Sequence, residues 1–141
     1  MLNALVDYSK TRVTRAGGRS AENPFVQLLC AETAAAIDEM KSVLHRNFGN
    51  LHAYAKRGET PPLEERLQYK FQSTAVTERC TLLAARIFKA TGAAGLSEDL
   101  PFGGILADLM AGRQHISNQY EFVGSSWGGV MFGLENKDLM I

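Results

Sequence analysis

Three histidines, His45, His52 and His115, are the side chains of this sequence that titrate nearest neutral pH and can both take up and release a proton. A carboxylate-bridged di-metal site would pair such histidines with acids three residues earlier, so that both ligands face inward one helical turn apart. The residues at those places are Ser42, Gly49 and Gly112, and none is a ligand. Zinc fares no better, because Cys30, Cys80 and three scattered histidines give no ligand spacing. No P-loop or dinucleotide fingerprint is present either. No metal site is expected. His45 and His52 lie seven residues apart, roughly on one helix face, and are read as solvent-facing. His115 differs: it follows Arg113-Gln114 and lies close to Ala111 and Gly112, small residues that would let another backbone or a flat ligand approach. On spacing alone, a functional histidine and a satisfied helix-end histidine both stay open.

Two further groups could bind rather than react. Lys10, Arg12, Arg15 and Arg19 cluster at the end of the first helical segment. The helix dipole alone favours cations there, and a phosphate would also suit them. Gly124 with Gly128, and Gly129 with Gly133, form two overlapping pairs of small residues four apart around Trp127. Each glycine inside a helix costs about 1 kcal/mol relative to alanine, so these need a reason. Close helix packing is one, and a ligand surface the other. Gly103-Gly104 would lie near a helix N-terminus, which favours anions, but no Lys or Arg stands beside it.

The elements that position these groups are legible as helices. Leu2 to Arg15 reads as a first helix, ended by Gly17-Gly18. It has no N-cap and reads like the end of a helix cut by the start of the chain. Asn23-Pro24 supplies a cap and a first-turn proline for a second helix over residues 24–57, with Val26, Leu29, Met40, Leu44, Phe48 and Leu51 among its apolar stripe. Gly58 stops it. Thr60-Pro61-Pro62 opens a third, with Glu64 and Glu65 in its first turn, and Gly92 closes it. Its stripe includes Leu67, Phe71, Val76, Cys80, Leu83 and Ile87. Pro101 opens a fourth helix to about Gln119, and a fifth covers Phe122 to Leu134. No period-2 run of β-branched residues persists. Two helices of about 30 residues joined by a short turn must pack antiparallel to bury both stripes. The expected fold is an all-α, up-and-down helical bundle, with residues 1–141 as a single domain.

Composition limits the partners. The 141 residues are 45% apolar and 21% charged, and 15 basic side chains balance 15 acidic ones. Binding a nucleic-acid backbone requires a surplus of Lys and Arg, which is lacking, so no nucleic acid is expected. The late stretch from Phe122 to Leu134 is too short and too interrupted by Gly and Ser to span a bilayer. No membrane association and no signal peptide are expected. Cys30 and Cys80 sit in apolar runs and are read as reduced, buried and inert, which suits the cytoplasm.

The order of several stretches resembles the C-terminal domain of two-component flavin-dependent monooxygenases of the 4-hydroxyphenylacetate hydroxylase type, which have the acyl-CoA dehydrogenase fold. These are Tyr8-Ser9-Lys10-Thr11-Arg12, Glu22 to Gln27 with Ala31-Glu32, Ile87 to Gly92, Pro101-Phe102, and Ala107-Asp108 through Gln114-His115. The resemblance covers nearly the whole chain, and the spacing from Gly92 through Pro101 to His115 is its most telling part.

The resemblance implies a homo-oligomer, dimer or tetramer, joined through these bundles. It also implies a larger enzyme whose N-terminal helical and middle β domains are absent from this sequence. Such an enzyme takes reduced FMN or FAD from a separate flavin reductase and oxygenates an aromatic or related small-molecule substrate with dioxygen. His115 would be catalytic, assisting deprotonation of the substrate or stabilising the peroxide. The Thr91-Gly92-Ala93 turn matches a segment that approaches the flavin, and Gly92 and Ala93 with Arg12 are the expected cofactor-binding residues. One departure is clear. Two arginines of the family's Pro-Leu-Gln-Arg-x-x-Arg-Asp pattern are replaced in Pro101-Phe102-Gly103-Gly104-Ile105-Leu106-Ala107-Asp108, which leaves Asp108 without its partner. The alternative is therefore a non-catalytic helical oligomerisation or binding module that has lost the flavin site.

Overall fold

The computed structural model describes residues 1–14 and 17–141. Among these residues there are five α-helices and no strand: α1 (Leu2–Thr11), α2 (Pro24–Arg57), α3 (Leu63–Thr91), α4 (Phe102–Arg113) and α5 (Tyr120–Met131). Short 3-10 turns cover Ser20–Glu22, Gly92–Leu96 and Ile116–Asn118. The all-α expectation holds.

The longest helix starts and stops on local chemistry. Asn23 Oδ1 accepts the Phe25 N–H at 2.9 Å, and Pro24 takes the first position, where no N–H is needed. Gly58, at φ +67°, closes α2 in the left-handed form. Its N–H donates to Ala55 O while Glu59 N–H donates to Tyr54 O, the paired bonds of a Schellman end. Gly133 repeats that arrangement after α5, with Gly133 N–H on Val130 O and Leu134 N–H on Gly129 O.

Three boundaries differ from the sequence expectation. The first helix ends at Thr11 rather than about Arg15, because Arg12 is extended and its carbonyl accepts from Ser20 N–H. An isolated bridge joins Val13 to Arg19 beyond it. The fourth ends at Arg113 rather than about Gln119. The Gly112 carbonyl is taken by the Asn118 side-chain amide at 2.8 Å and by His115 N–H at 3.2 Å, and His115 itself is extended. The fifth runs Tyr120–Met131 instead of 122–134.

Chain contacts divide the molecule into two compact units, Met1–Asp38 with Cys80–Ala111, and Glu39–Arg79 with Gly112–Ile141. The first has an apolar centre: Leu5 from α1, Leu29 from α2, Ile87 from α3 and Phe102 from α4 are all buried together. Burying each such side chain contributes roughly 1.5–3 kcal/mol. Tyr8 meets the Phe102 ring edge-on at 5.6 Å.

The second unit is fastened by polar pairs. Arg79 meets Glu39, Gln72 meets Asn47, Tyr69 meets Asn50 and Glu65 meets Tyr54, so partner numbers fall along α3 as they rise along α2. That order makes the two segments antiparallel, as expected. Lys70 Nζ donates to Asp138 Oδ2 at 2.6 Å, with Asp138 side-chain exposure only 1%. Asp138 Oδ1 also accepts the Met140 N–H, which fixes the C-terminal tail to α3. Burial pushes the Asp138 carboxyl up, but the Lys70 hydrogen bond, the Met140 N–H and the Lys70 charge together hold it below its ordinary value. Phe71 packs against Tyr120 and Trp127 at 5.0 and 5.6 Å. A Cβ at Gly124 would lie 2.7 Å from Phe71 Cε2, so close packing explains that glycine, whereas Gly128 faces open space.

Cys30 and Cys80 are half-buried rather than buried, and partial burial pushes the Cys30 thiol up. No helix among the described residues is long and apolar enough to cross a membrane. No group of three or more metal-binding side chains is found among them either.

Candidate functional site

Three of the four expected site residues meet in the first unit. Tyr8 and Arg12 are four apart, hence on one side of the chain as α1 ends. The Arg12 guanidinium donates through Nη1 to both the Tyr8 hydroxyl and the Thr91 carbonyl, and it stacks 5.1 Å from the Tyr8 ring centre. A cation on the last carbonyls of α3 also complements the helix dipole there.

Thr91 itself is fully buried, and its hydroxyl donates to Phe88 O at 2.7 Å. Gly92 then turns the chain at φ +62°, a conformation L side chains rarely adopt. The Arg12 Nη2 group stands 3.9 Å from where a Gly92 Cβ would be, and among the described residues no other non-adjacent group comes within 4 Å of it. Gly92 and Ala93 are exposed.

The turn is held from below by two glycines whose need is steric. A Cβ at Gly95 would fall 2.2 Å from Thr91 Oγ1, and one at Gly103 would touch the Gly95 carbonyl at 3.4 Å. Gly103 therefore serves contact between the first turn of α4 and the 92–96 turn, and Gly104 faces open space. The result is a shaped, exposed edge with a guanidinium beside a bare glycine backbone.

The rest of the basic cluster is Lys10, Arg15 and Arg19. Lys10 pairs with Asp7 at 2.9 Å, both exposed. Arg19 is exposed, with its backbone N–H on Glu22 Oε2 at 3.3 Å. Arg15 lies outside the described residues.

His115 belongs to the second unit. It is not late in α4, as its sequence position suggested, but caps the turn that follows. Its Nδ1 accepts the Ser117 N–H at 3.2 Å, and the Thr74 hydroxyl donates to Ser117 O at 3.2 Å, anchoring the turn to α3. With Nδ1 accepting, the neutral ring carries its proton on Nε2 and presents an N–H donor outward. The ring is exposed on the surface of this chain. His45 and His52 are exposed as expected. Asp108 is exposed and makes no ion pair among the described residues.

Sequence reasoning named Arg12, Gly92 and Ala93 but missed Tyr8, Thr91 and Gly95 as their supports. The Tyr8–Arg12 spacing carried a usable signal. The Thr91 carbonyl, being backbone, carried none.

Residues 1–120 match the family described as acyl-CoA dehydrogenase, C-terminal domain. The chain is 30% identical over 132 residues to the flavin-dependent monooxygenase oxygenase subunit HsaA of Mycobacterium tuberculosis, covering 94% of this chain and 34% of that protein. It is 34% identical over 146 residues to the FADH(2)-dependent resorcinol hydroxylase oxygenase component of a Rhizobium species, covering 96% of this chain and 36% of that protein. Among solved structures it resembles the 3-HSA hydroxylase from Rhodococcus sp. RHA1, with a TM-score of 0.88 at 29% identity over 99% of this chain and 37% of that one. The chain thus spans about a third of the length of these relatives. With a family match running across both compact units, the chain belongs to the acyl-CoA dehydrogenase C-terminal domain family.

Proposed function

We propose that residues 1–141 act as one domain, the C-terminal helical domain of the oxygenase component of a flavin-dependent monooxygenase. Its substrate would be an aromatic or related small molecule, and a separate reductase would deliver the reduced flavin. The observation that carries this reading is the Arg12–Thr91–Gly92 arrangement in a chain about 30% identical to two flavin-dependent oxygenases over nearly its whole length. The FADH(2) dependence of the resorcinol hydroxylase favours FAD over FMN.

The residues present fit a flavin edge. Gly92 is exposed and has no side chain, and Arg12 is the only non-adjacent group among the described residues within 4 Å of where its Cβ would be, so a flat ring or a phosphate can approach its backbone closely. Arg12 keeps Nη2 on that side while Nη1 is spent on Thr91 and Tyr8, and Ala93 adds a small apolar surface. Bound reduced flavin would supply the dioxygen-activating chemistry. His115 would contribute an Nε2–H donor toward a developing oxygen anion, which suits stabilising that anion better than abstracting a proton.

Large apolar side chains at the surface, including Phe25 at 80% and Leu28 at 55% exposure, support association into a dimer or tetramer.

Anaerobic titration with reduced FAD and FMN, followed in the visible flavin bands, tests the cofactor edge. Arg12→Gln should weaken binding about tenfold, as loss of a charge-assisted hydrogen bond does. Binding unchanged by Arg12→Gln, or no binding at all, overturns the assignment. In the reductase-coupled enzyme, His115→Ala should lower hydroxylated product while assembly by light scattering is unchanged. Equal product yield removes His115 from the reaction.

The loss of both arginines before Asp108, which makes no ion pair among the described residues, favours one second reading, a helical module without the flavin site. Absent flavin binding together with intact oligomers would select it.

A further inference from the structure

The second unit contains a cavity of about 410 Å³ between α2, α3 and the C-terminal tail. One wall is apolar and built at helical spacing: Leu44, Phe48 and Leu51 lie at i, i+4 and i+7 on α2. The facing wall carries Arg66, Lys70 and Ser73 at the same spacing on α3. Met140 of the tail, 62% exposed, and Phe48, 61% exposed, stand at the rim.

Arg66 is the anomaly. Arg46, Arg57, Arg79 and Arg113, the other arginines of this unit, all have partners: Asn47 with Gln72, Glu59, Glu39 and Glu78 respectively. Arg66 is half-buried, yet its side chain makes no hydrogen bond or ion pair among the described residues, and its Nε is buried without an acceptor. Burying a charge without a partner is costly, so a guanidinium so placed favours an anion. Lys70 cannot be what such an anion meets first, because Asp138 already neutralises it at 2.6 Å. The wall therefore offers one uncompensated positive charge facing an apolar stripe.

We propose that this cavity is a binding site for a small amphipathic anion, with a carboxylate or sulfonate on Arg66 and a hydrocarbon body against Leu44, Phe48 and Leu51. A pocket with an apolar wall and a few polar groups, among them one charge to orient the ligand, is the ordinary form of such a site. The ligand's head orients it, and its body supplies the burial.

The probe is 8-anilinonaphthalene-1-sulfonate, displaced by octanoate or by octan-1-ol, which share a chain and differ in charge. Fluorescence should rise saturably with the folded protein, and octanoate should compete at least tenfold more strongly than octanol. Arg66→Gln should abolish that difference by weakening octanoate alone, whereas Arg86→Gln, in the first unit, should leave it intact. If Arg66→Gln does not fold, Phe48→Ala at the exposed rim should weaken both competitors several-fold. No saturable binding, equal competition by acid and alcohol in the unmodified protein, or octanoate affinity unaffected by either Arg66→Gln or Phe48→Ala would each overturn the proposal.

Discussion

The two compact units solve the same packing problem with different materials. In the first, four helices each contribute one large side chain to a dry centre of Leu5, Leu29, Ile87 and Phe102. In the second, the buried Leu67 and Val123 are joined by polar groups, with Asn47 at 3%, Thr74 at 2% and Asp138 at 2% exposure, each of them hydrogen-bonded. Apolar burial is strong and indifferent to direction, whereas polar contacts are individually modest but demand one geometry. The first unit can thus support an exposed glycine turn from beneath, and the second can hold open a lined cavity.

Phe102→Ala should expose this contrast most strongly. The ring is fully buried, and its removal should cost about 3–5 kcal/mol, read from the denaturant midpoint. A loss below 1 kcal/mol would mean the first unit does not rest on that centre.

Asp138→Asn comes next, at about 1–3 kcal/mol, since it leaves Lys70 only partly solvated and without its anion. Acid should act on the same contact. A carboxyl held below its ordinary 3.8 contributes stability that is complete above that value and lost as pH falls through the lower, folded one. Amide exchange of residues 134–141 should accelerate there, and in Asp138→Asn it should already be fast at neutral pH. A tail equally protected in both proteins would detach the latch from Asp138.

Gly124→Ala should cost about 1–2 kcal/mol, because its methyl would press on Phe71 at 2.7 Å, while Gly128→Ala should be neutral or stabilising. Equal effects at the two positions would remove packing as the reason for Gly124.

The smallest effect should be shared by both units. Arg86–Glu32 and Arg79–Glu39 are exposed pairs, and Arg86→Ala and Arg79→Ala should each cost less than about 1 kcal/mol. A much larger loss in one would show that its α2–α3 seam depends on that pair.

How much of this was legible depends on the range of the cause. The limits of α2 were readable because Asn23-Pro24 and Gly58 act on their immediate neighbours. The end of α4 was not, since Gln114–Gln119 contains no breaker and the helix is stopped by the Asn118 amide reaching back to Gly112 O. The apolar stripe of α2 was visible, but Phe48 shows that periodicity marks a face without saying what covers it. Arg12, Gly92 and Ala93 came through the ordered motifs. Their arrangement depends on the Thr91 carbonyl, 79 residues from Arg12, and no local pattern reports such a contact. Lys70 and Asp138, 68 residues apart, were silent for the same reason.

Met140 gives the cavity rim a chemical memory. The residue is 62% exposed, while Met40 is 4% exposed, so dissolved oxidants reach the former long before the latter. Conversion to the sulfoxide would turn a flexible greasy lip into a polar one, and methionine sulfoxide reductases would restore it. Peptide mass mapping after mild hydrogen peroxide treatment would therefore find the modification at Met140 well before Met40.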